Sequence, residues 1–355
     1  MIQIRGTVAI YFVLFLSGCV DTIDIPIPQD TGEDRLVIHG VVERSDKIYR
    51  FFVQSLSTQD LQSGVEDHNR DADIDLIYNG QPIFSLQSGS EFTIPIDSFH
   101  QLYGGTRDQA HFNIQVQVDG RVFESESQSI LENPEGGALK LSYVEREELN
   151  DIENLVTNAY VKLLVSTPVV NSDNKRVSFL WDVSGVYLFR EVIWTLATDY
   201  DPRFCYVTDR PALNEIQVLN SQSVNGEFVN DLEINETSAD HRFASGYYYT
   251  VVQKAIDQRA AIYWDQLRKN IEREGTIYDP PAGIAQSNIT QVEGPPMDVL
   301  GYFYTAGVDT LRHLSTRDET GNQPHLCALN IISEVCCDCI LILNSTYAKP
   351  PYWDQ

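Results

Sequence analysis

The chain is short of positive charge. Lys and Arg number 25 against 51 Asp and Glu in 355 residues, a formal net charge of −26. Such a field repels phosphate backbones, which argues against nucleic acid as a partner. Long apolar runs are lacking as well. Beyond the N-terminal segment, no stretch reaches the ~20 residues a helix needs to cross hydrocarbon. No Gly-x-Ser-x-Gly, His-Glu-x-x-His, Walker or dinucleotide pattern occurs, and the seven histidines are scattered. No recognised catalytic arrangement can therefore be assigned, and no catalytic residue is proposed. Self-similarity at the ~20–50-residue periods of propellers and solenoids is absent too.

What is present begins with Leu16-Ser17-Gly18-Cys19. Arg5 is the only charge before it, and Thr7 to Leu16 is an apolar stretch of signal-peptide length, too short to span a bilayer. Small residues then precede the cysteine, as a lipoprotein signal peptidase requires. The expectation is a signal peptide over residues 1–18 and lipidation of Cys19 by acyl chains such as palmitate. Each buried methylene contributes roughly 0.8 kcal/mol, so several chains hold the protein at a membrane. Residues 19–33, rich in Pro and acids, read as an extended tether. Asp21 and Asp24 resemble the acidic residues behind the anchor of surface-exported lipoproteins, although Val20 intervenes. A bacterial outer membrane is the expected location, on its periplasmic or its cell-surface face. In that setting the sequons at Asn235, Asn288 and Asn344 are chance.

From Leu36 the apolar period is two. Leu36 to Val42 and Lys47 to Ser55 are β-branched and aromatic, and Ala72, Ile74, Leu76 and Tyr78 alternate with Asp73 and Asp75. Asn79-Gly80 and Asp119-Gly120 are hairpin turn signals. These features predict a β-sandwich over residues 34–132. Asn133-Pro134-Glu135-Gly136-Gly137 is a break, and a second β-rich domain is expected over 138–355. Its strands include Ala159 to Val165, Val177 to Val183, Val186 to Ala197, Leu213 to Leu219, Gly246 to Ala255 and Val299 to Tyr304. The fold class is mainly β: two tandem β-sandwich (Ig-like) domains, the second with one amphipathic α-helix. That helix is predicted at about 256–274, where Ile256, Ala260, Tyr263, Leu267 and Ile271 share a face. Asp257 can cap it, Asp265 and Lys269 can pair, and Gly275 can end it.

Tyr263-Trp264 on this helix is followed by Gly275-Thr276-Ile277-Tyr278-Asp279-Pro280-Pro281, Asn288-Ile289 and Val299-Leu300-Gly301-Tyr302-Phe303. Cys336-Cys337-Asp338-Cys339 and Lys349-Pro350-Pro351-Tyr352-Trp353 come last. With the lipobox, this ordered set resembles the domain-of-unknown-function 4249 family (DUF4249) of Bacteroidota lipoproteins. Members are often encoded beside TonB-dependent outer-membrane transporters. The resemblance implies a partner lipoprotein of such a transporter, capping it or presenting a ligand. It implies no catalytic residues.

Local chemistry adds candidates. Tyr278, Asp279, Pro280 and Pro281 form a stiff segment that either contacts a partner or merely connects. With Cys19 lipidated, Cys205, Cys327, Cys336, Cys337 and Cys339 remain, and an oxidising envelope favours two disulfides with one thiol left over. Their connectivity is not deducible. A zinc site from His325, Cys327 and the CCDC cluster is the sharper alternative, but its spacing is unlike paired C-x₂-C, and no metal or cofactor is assigned. Asp71, Asp73 and Asp75 suggest calcium, yet Leu76 stands where the loop glycine belongs and Pro82 where its bidentate Glu belongs. Trp181, Trp194, Trp264 and Trp353 could stack on sugars or fill cores. Three functions follow as expectations. The first is a non-enzymatic envelope lipoprotein serving a TonB-dependent transporter. The second is a module binding glycan or another nutrient. The third is a hydrolase with an unrecognised carboxylate pair.

Overall fold

Alternating β-branched and aromatic residues build nearly everything in the computed structural model, which describes residues 35–58, 70–105, 110–192, 202–211, 215–272, 283, 285–327 and 333–353. Strands β1 (Leu36–Arg44) and β2 (Ile48–Ser57) come first. Hairpin β3 (Asp73–Tyr78) and β4 (Gln81–Gln87) turns at Asn79-Gly80, with positive φ at both residues as its sequence requires. Strand β5 (Glu91–Pro95) runs into helix α1 (Ile96–Tyr103). A second hairpin, β6 (His111–Val118) and β7 (Arg121–Ser125), turns at Asp119-Gly120, and β8 (Gln128–Ser129) follows. Past the Asn133–Gly137 break come β9 (Ala138–Leu149), β10 (Leu155–Pro168) and β11 (Ser178–Arg190). Next are β12 (Phe204–Asp209), β13 (Gln217–Leu219), β14 (Phe228–Ser238) and β15 (Tyr247–Ile256). Helix α2 (Gln258–Ile271) precedes β16 (Ile289–Glu293) and the long β17 (Val299–Leu314). Short helices α3 (Arg317–Thr320) and α4 (Glu334–Cys337) and strand β18 (Ser345–Thr346) close the chain.

The described residues are mainly β, as their periodicity predicts. Their strands form three sheets. The largest runs β18-β12-β11-β15-β17-β1-β2-β5, with β13 also beside β11. A six-stranded sheet runs β16-β7-β6-β3-β4, with β8 on β6, and a three-stranded one runs β14-β10-β9. The break at residues 133–137 is a loop, but it does not divide the hydrogen bonding. Strand β1 lies parallel to β17, so the large sheet takes strands from either side of the break, and Arg35–Gln355 is one compact unit. The six-stranded sheet does the same through the antiparallel β16–β7 pair, and no local pattern announces either long-range pairing.

One face of the large sheet packs on both smaller sheets. Ile38, Val42, Tyr49, Phe51 and Phe303 meet Ile74, Leu76, Phe112, Ile114 and Val116 of the six-stranded sheet in one core. Phe179, Trp181, Tyr249 and Val251 meet Leu141, Val161, Leu163 and Ile234 of the three-stranded sheet in another. Each such side chain contributes about 1.5–3 kcal/mol on burial. The segment after Leu131 is pinned between them. Asn133 Nδ2 donates to the carbonyls of Gln253 (3.2 Å) and Gly307 (2.6 Å), and Trp181 Nε1 donates to Gln253 Oε1.

The opposite face carries α2 and an aromatic C-terminus. Ala260, Ala261 and Tyr263 of the helix lie on Val41, Leu180, Tyr302, Tyr304 and Ala306. The described helix ends at Ile271, the predicted residues 273–274 and the proposed Gly275 end lie outside the described residues, and Ile256 closes β15 instead of opening the helix. Asp257 Oδ1 accepts from Ala260 N at 2.7 Å, the expected cap, and Asp265 pairs with Lys269 at 2.7 Å. Val177 to Val183 and Val186 onward, read as two strands, merge into β11, because Ser184-Gly185 continues the ladder.

Candidate functional site

Four of the residues that carry the sequence resemblance, Tyr263, Trp264, Asn288 and Tyr302, lie on or beside α2. Tyr263 stacks on Tyr302 of β17 with ring centroids 4.7 Å apart, and Trp264 stands edge-on to both His39 and Tyr304. Asn288 locks the adjoining backbone: its Nδ2 donates to Phe303 O (2.7 Å) and its Oδ1 accepts from Phe303 N (2.9 Å). Beside the tyrosine stack lies a cavity of about 150 Å³, walled by Glu126, Arg259, Ile262, Gln266 and Gln286. Arg259 and Glu126 are ion-paired across it. Burial pushes the Tyr263 phenol up to about 12 and raises that of Tyr302, so both stay neutral donors. The Tyr302 hydroxyl is buried without a protein partner. Ligand cavities usually reach roughly 300 Å³ or more. This one is about half that size.

A ladder of charge crosses the same face. Asp182 (β11), Lys254 (β15), Glu43 (β1), Arg50 (β2) and Glu91 (β5) link in sequence. The contacts are 2.6 Å from Lys254 Nζ to Asp182, 2.9 Å from Lys254 Nζ to Glu43, 2.6 Å from Arg50 to Glu43 and 2.9 Å from Arg50 to Glu91. Lys254 reaches Glu43 over β17, where the residue beside Glu43 is the small Ala306. Burial alone would raise the Glu43 carboxyl, but Lys254 and Arg50 hold it below the usual carboxylate range. Burial, aided by Lys254, pushes the His39 imidazole down to about 4.

A larger cavity, about 550 Å³, lies beside the break and includes Arg44, Asp46, Glu132, Glu135, Asp173 and Asp309 in its wall. Five carboxylates face one guanidinium there, and Arg44 is already paired with Glu132. Asp73 and Asp75 point outward from β3 while Ile74 and Leu76 enter the core, which accounts for the acids without a cation. Among the described residues, no group of three His, Cys, Asp or Glu side chains is arranged to hold a metal.

The cysteines follow the two-bridge expectation. Cys205 bonds Cys339, Cys327 bonds Cys336, and Cys337 is a free, exposed thiol. The zinc alternative is thereby removed, since three of its four thiols, those of Cys327, Cys336 and Cys339, are oxidised. The CCDC stretch is not a strand: α4 ends at Cys337, and a 3₁₀ turn begins at Cys339. Glu191 fastens this region. Its Oε1 accepts from Cys339 N (3.0 Å) and its Oε2 from Arg203 Nε (3.0 Å). The Cys205–Cys339 bridge closes a sequence separation of 134, against nine for Cys327–Cys336. Replacing Cys205 by Ser is expected to cost about 2–4 kcal/mol of unfolding free energy. Replacing Cys327 should cost roughly 2 kcal/mol less, because loop closure depends logarithmically on length. Denaturant titration of both variants measures the difference.

Other predicted positions divide as follows. Trp181 is buried in the core, and Trp353 packs on Tyr206 and Tyr248. Asn235 and Asn288 are buried, which leaves no room for a glycan. Cys19, Trp194 and the Tyr278, Asp279, Pro280 and Pro281 segment lie outside the described residues.

A family model described as domain of unknown function (DUF4249) matches residues 20–312. The chain belongs to the DUF4249 family. Tyr263, Asn288, Gly301 and Tyr302, which suggested it, all fall inside the matched range, and Tyr263, Asn288 and Tyr302 line the α2 cavity. The three C-terminal disulfide cysteines lie beyond that range, so the stapled end of this DUF4249 chain is outside the matched segment. No curated protein matches the chain.

Proposed function

We propose that this DUF4249 protein is a non-enzymatic lipoprotein, anchored through Cys19 to the outer membrane, that binds a TonB-dependent transporter. Apolar side chains left in solvent on rigid supports carry the reading. Leu343 is 83% exposed, and Phe204, Leu341 and Tyr347 of the same β12–β18 region are exposed too. This segment is held to β12 by the Cys205–Cys339 bridge and the β18 pairing. Leu149, Ile152 and Leu155 are exposed at the end of the β9–β10 hairpin. Single exposed aliphatics are ordinary, whereas clusters on fixed backbone suit protein partners. The polar chemistry inside is engaged in holding strands together, as with Glu43, Glu191 and Asn288. Copurification of the tagged, lipidated chain from gently solubilised outer membranes is expected to bring down a transporter at stoichiometric levels. Its absence would count decisively against this role.

A glycan-binding reading draws on the α2 cavity, where a carboxylate, a guanidinium and three amides surround a tyrosine stack. Its aromatic rings are mostly buried, which limits stacking on a sugar. Calorimetry with a glycan panel, comparing wild type with Arg259→Ala, tests it.

A further inference from the structure

The β9–β10 hairpin is longer than its core requires. The last buried side chains on its two strands are Leu141 and Val161. Beyond Tyr143, which meets Gly321 just after α3, the paired strands run on from Glu145 to Asn158 with most residues exposed. At ~3.4 Å per residue this is an arm of about 15–20 Å. Its end is closed by a defined turn. Asn150 Oδ1 accepts from the backbone N–H groups of Ile152 (3.1 Å) and Asn154 (2.9 Å), and Asn150 N donates to Asn154 O. Leu149 and Leu155 are register partners at the root of the turn, and Ile152 lies within it. The three are 69%, 63% and 74% exposed.

We propose that this tip is the element that enters the transporter: an apolar plug for a non-polar recess with a basic rim. The inference rests on the role proposed above. Charge complementarity selects the occupant. Between Glu145 and Asn158 the arm carries Glu145, Glu147, Glu148, Asp151 and Glu153 against Arg146 alone, and Arg146 is already bound to Glu236 through Nη1 and Nη2. A partner must supply Lys or Arg around the recess, and rising salt then weakens the complex. An anionic lipid surface would be repelled by the same acids, and the tip has none of the Trp, Lys or Arg anchors of membrane-seated segments.

The test uses the full lipidated chain. A photo-crosslinking residue in place of Ile152 should yield an adduct whose peptides identify the transporter. The triple variant Leu149→Ser, Ile152→Asn, Leu155→Ser should retain the wild-type circular dichroism and both disulfides while recovering at least tenfold less transporter. Undiminished recovery by the triple variant, beside a wild type that copurifies, overturns the plug and leaves the transporter role standing. Failure of the wild type to copurify removes both. A Cys19→Ser chain that floats with phosphatidylethanolamine–phosphatidylglycerol vesicles only when the tip is intact makes lipid the occupant and overturns the plug.

Discussion

Replacing Gly301 by Ala is expected to unfold the protein or to lower its stability by more than about 4 kcal/mol, at the upper end of single substitutions. Gly301 pairs with Ile38 where β17 and β1 run parallel. Its φ is +97°, a region that L side chains rarely adopt. A Cβ there would overlap the Ile38 carbonyl oxygen and lie 2.7 Å from its carbonyl carbon and 2.9 Å from its amide nitrogen. No rotamer relieves a clash between two backbones. The strands must separate, and their parallel pairing is what joins the halves of the large sheet. Gly283→Ala is the control, because nothing lies within 4 Å of the added carbon, and it should shift stability by less than about 0.5 kcal/mol. Urea titration of both variants decides the matter. A Gly301→Ala protein within about 1 kcal/mol of wild type would mean that β1 and β17 do not pair as described.

Gly301 also shows where sequence reading stops. Its neighbours alternate as a strand must, so β17 was legible from Val299 to Tyr304, as were β1, β2, both hairpins and α2. The parallel partner of β17 was not, since it lies some 260 residues earlier and no turn links them. The same blindness placed a domain boundary at residues 133–137, where composition marks a loop and nothing marks a sheet continuing past it. Strand β9 was missed for a different reason. Leu139, Leu141 and Tyr143 alternate, but the outer half of the hairpin is exposed on both faces and its apolar period fades into acids. Of the candidate site, Tyr263, Asn288 and Tyr302 were singled out as motif residues, though nothing local says that they meet. The charge ladder left no trace in the sequence. Asp182, Lys254, Glu43, Arg50 and Glu91 come from five strands and look like ordinary surface charge until the strand order sets them in a row.

That ladder predicts the second large effect. Lys254→Ala is expected to cost about 3–5 kcal/mol, the range for removing one partner of a buried pair. Lys254 and Glu43 side chains are 11% and 9% exposed, whereas Asp182 is 61% exposed, so the loss falls on Glu43, left with Arg50 alone. Replacing Glu43 and Lys254 together by Met should recover most of the loss, because no charge is then stranded. The pH dependence follows from the same groups. In the folded chain the His39 imidazole is held at about 4, against roughly 6.5 unfolded. Between those values the unfolded chain binds more protons, so stability rises with pH across that window, by up to about 3 kcal/mol. Glu43, whose folded carboxyl is depressed, contributes above its unfolded value, and that contribution fades as pH falls through its folded one. Removing Lys254 raises both groups: His39 moves back toward its unfolded value, and its share of the pH slope shrinks. Imidazole titration by NMR, with urea curves at acidic and neutral pH, reads both effects. An unmoved His39 in Lys254→Ala would show that solvent screens the ladder and that the buried pairing is not what steadies this face of the sheet.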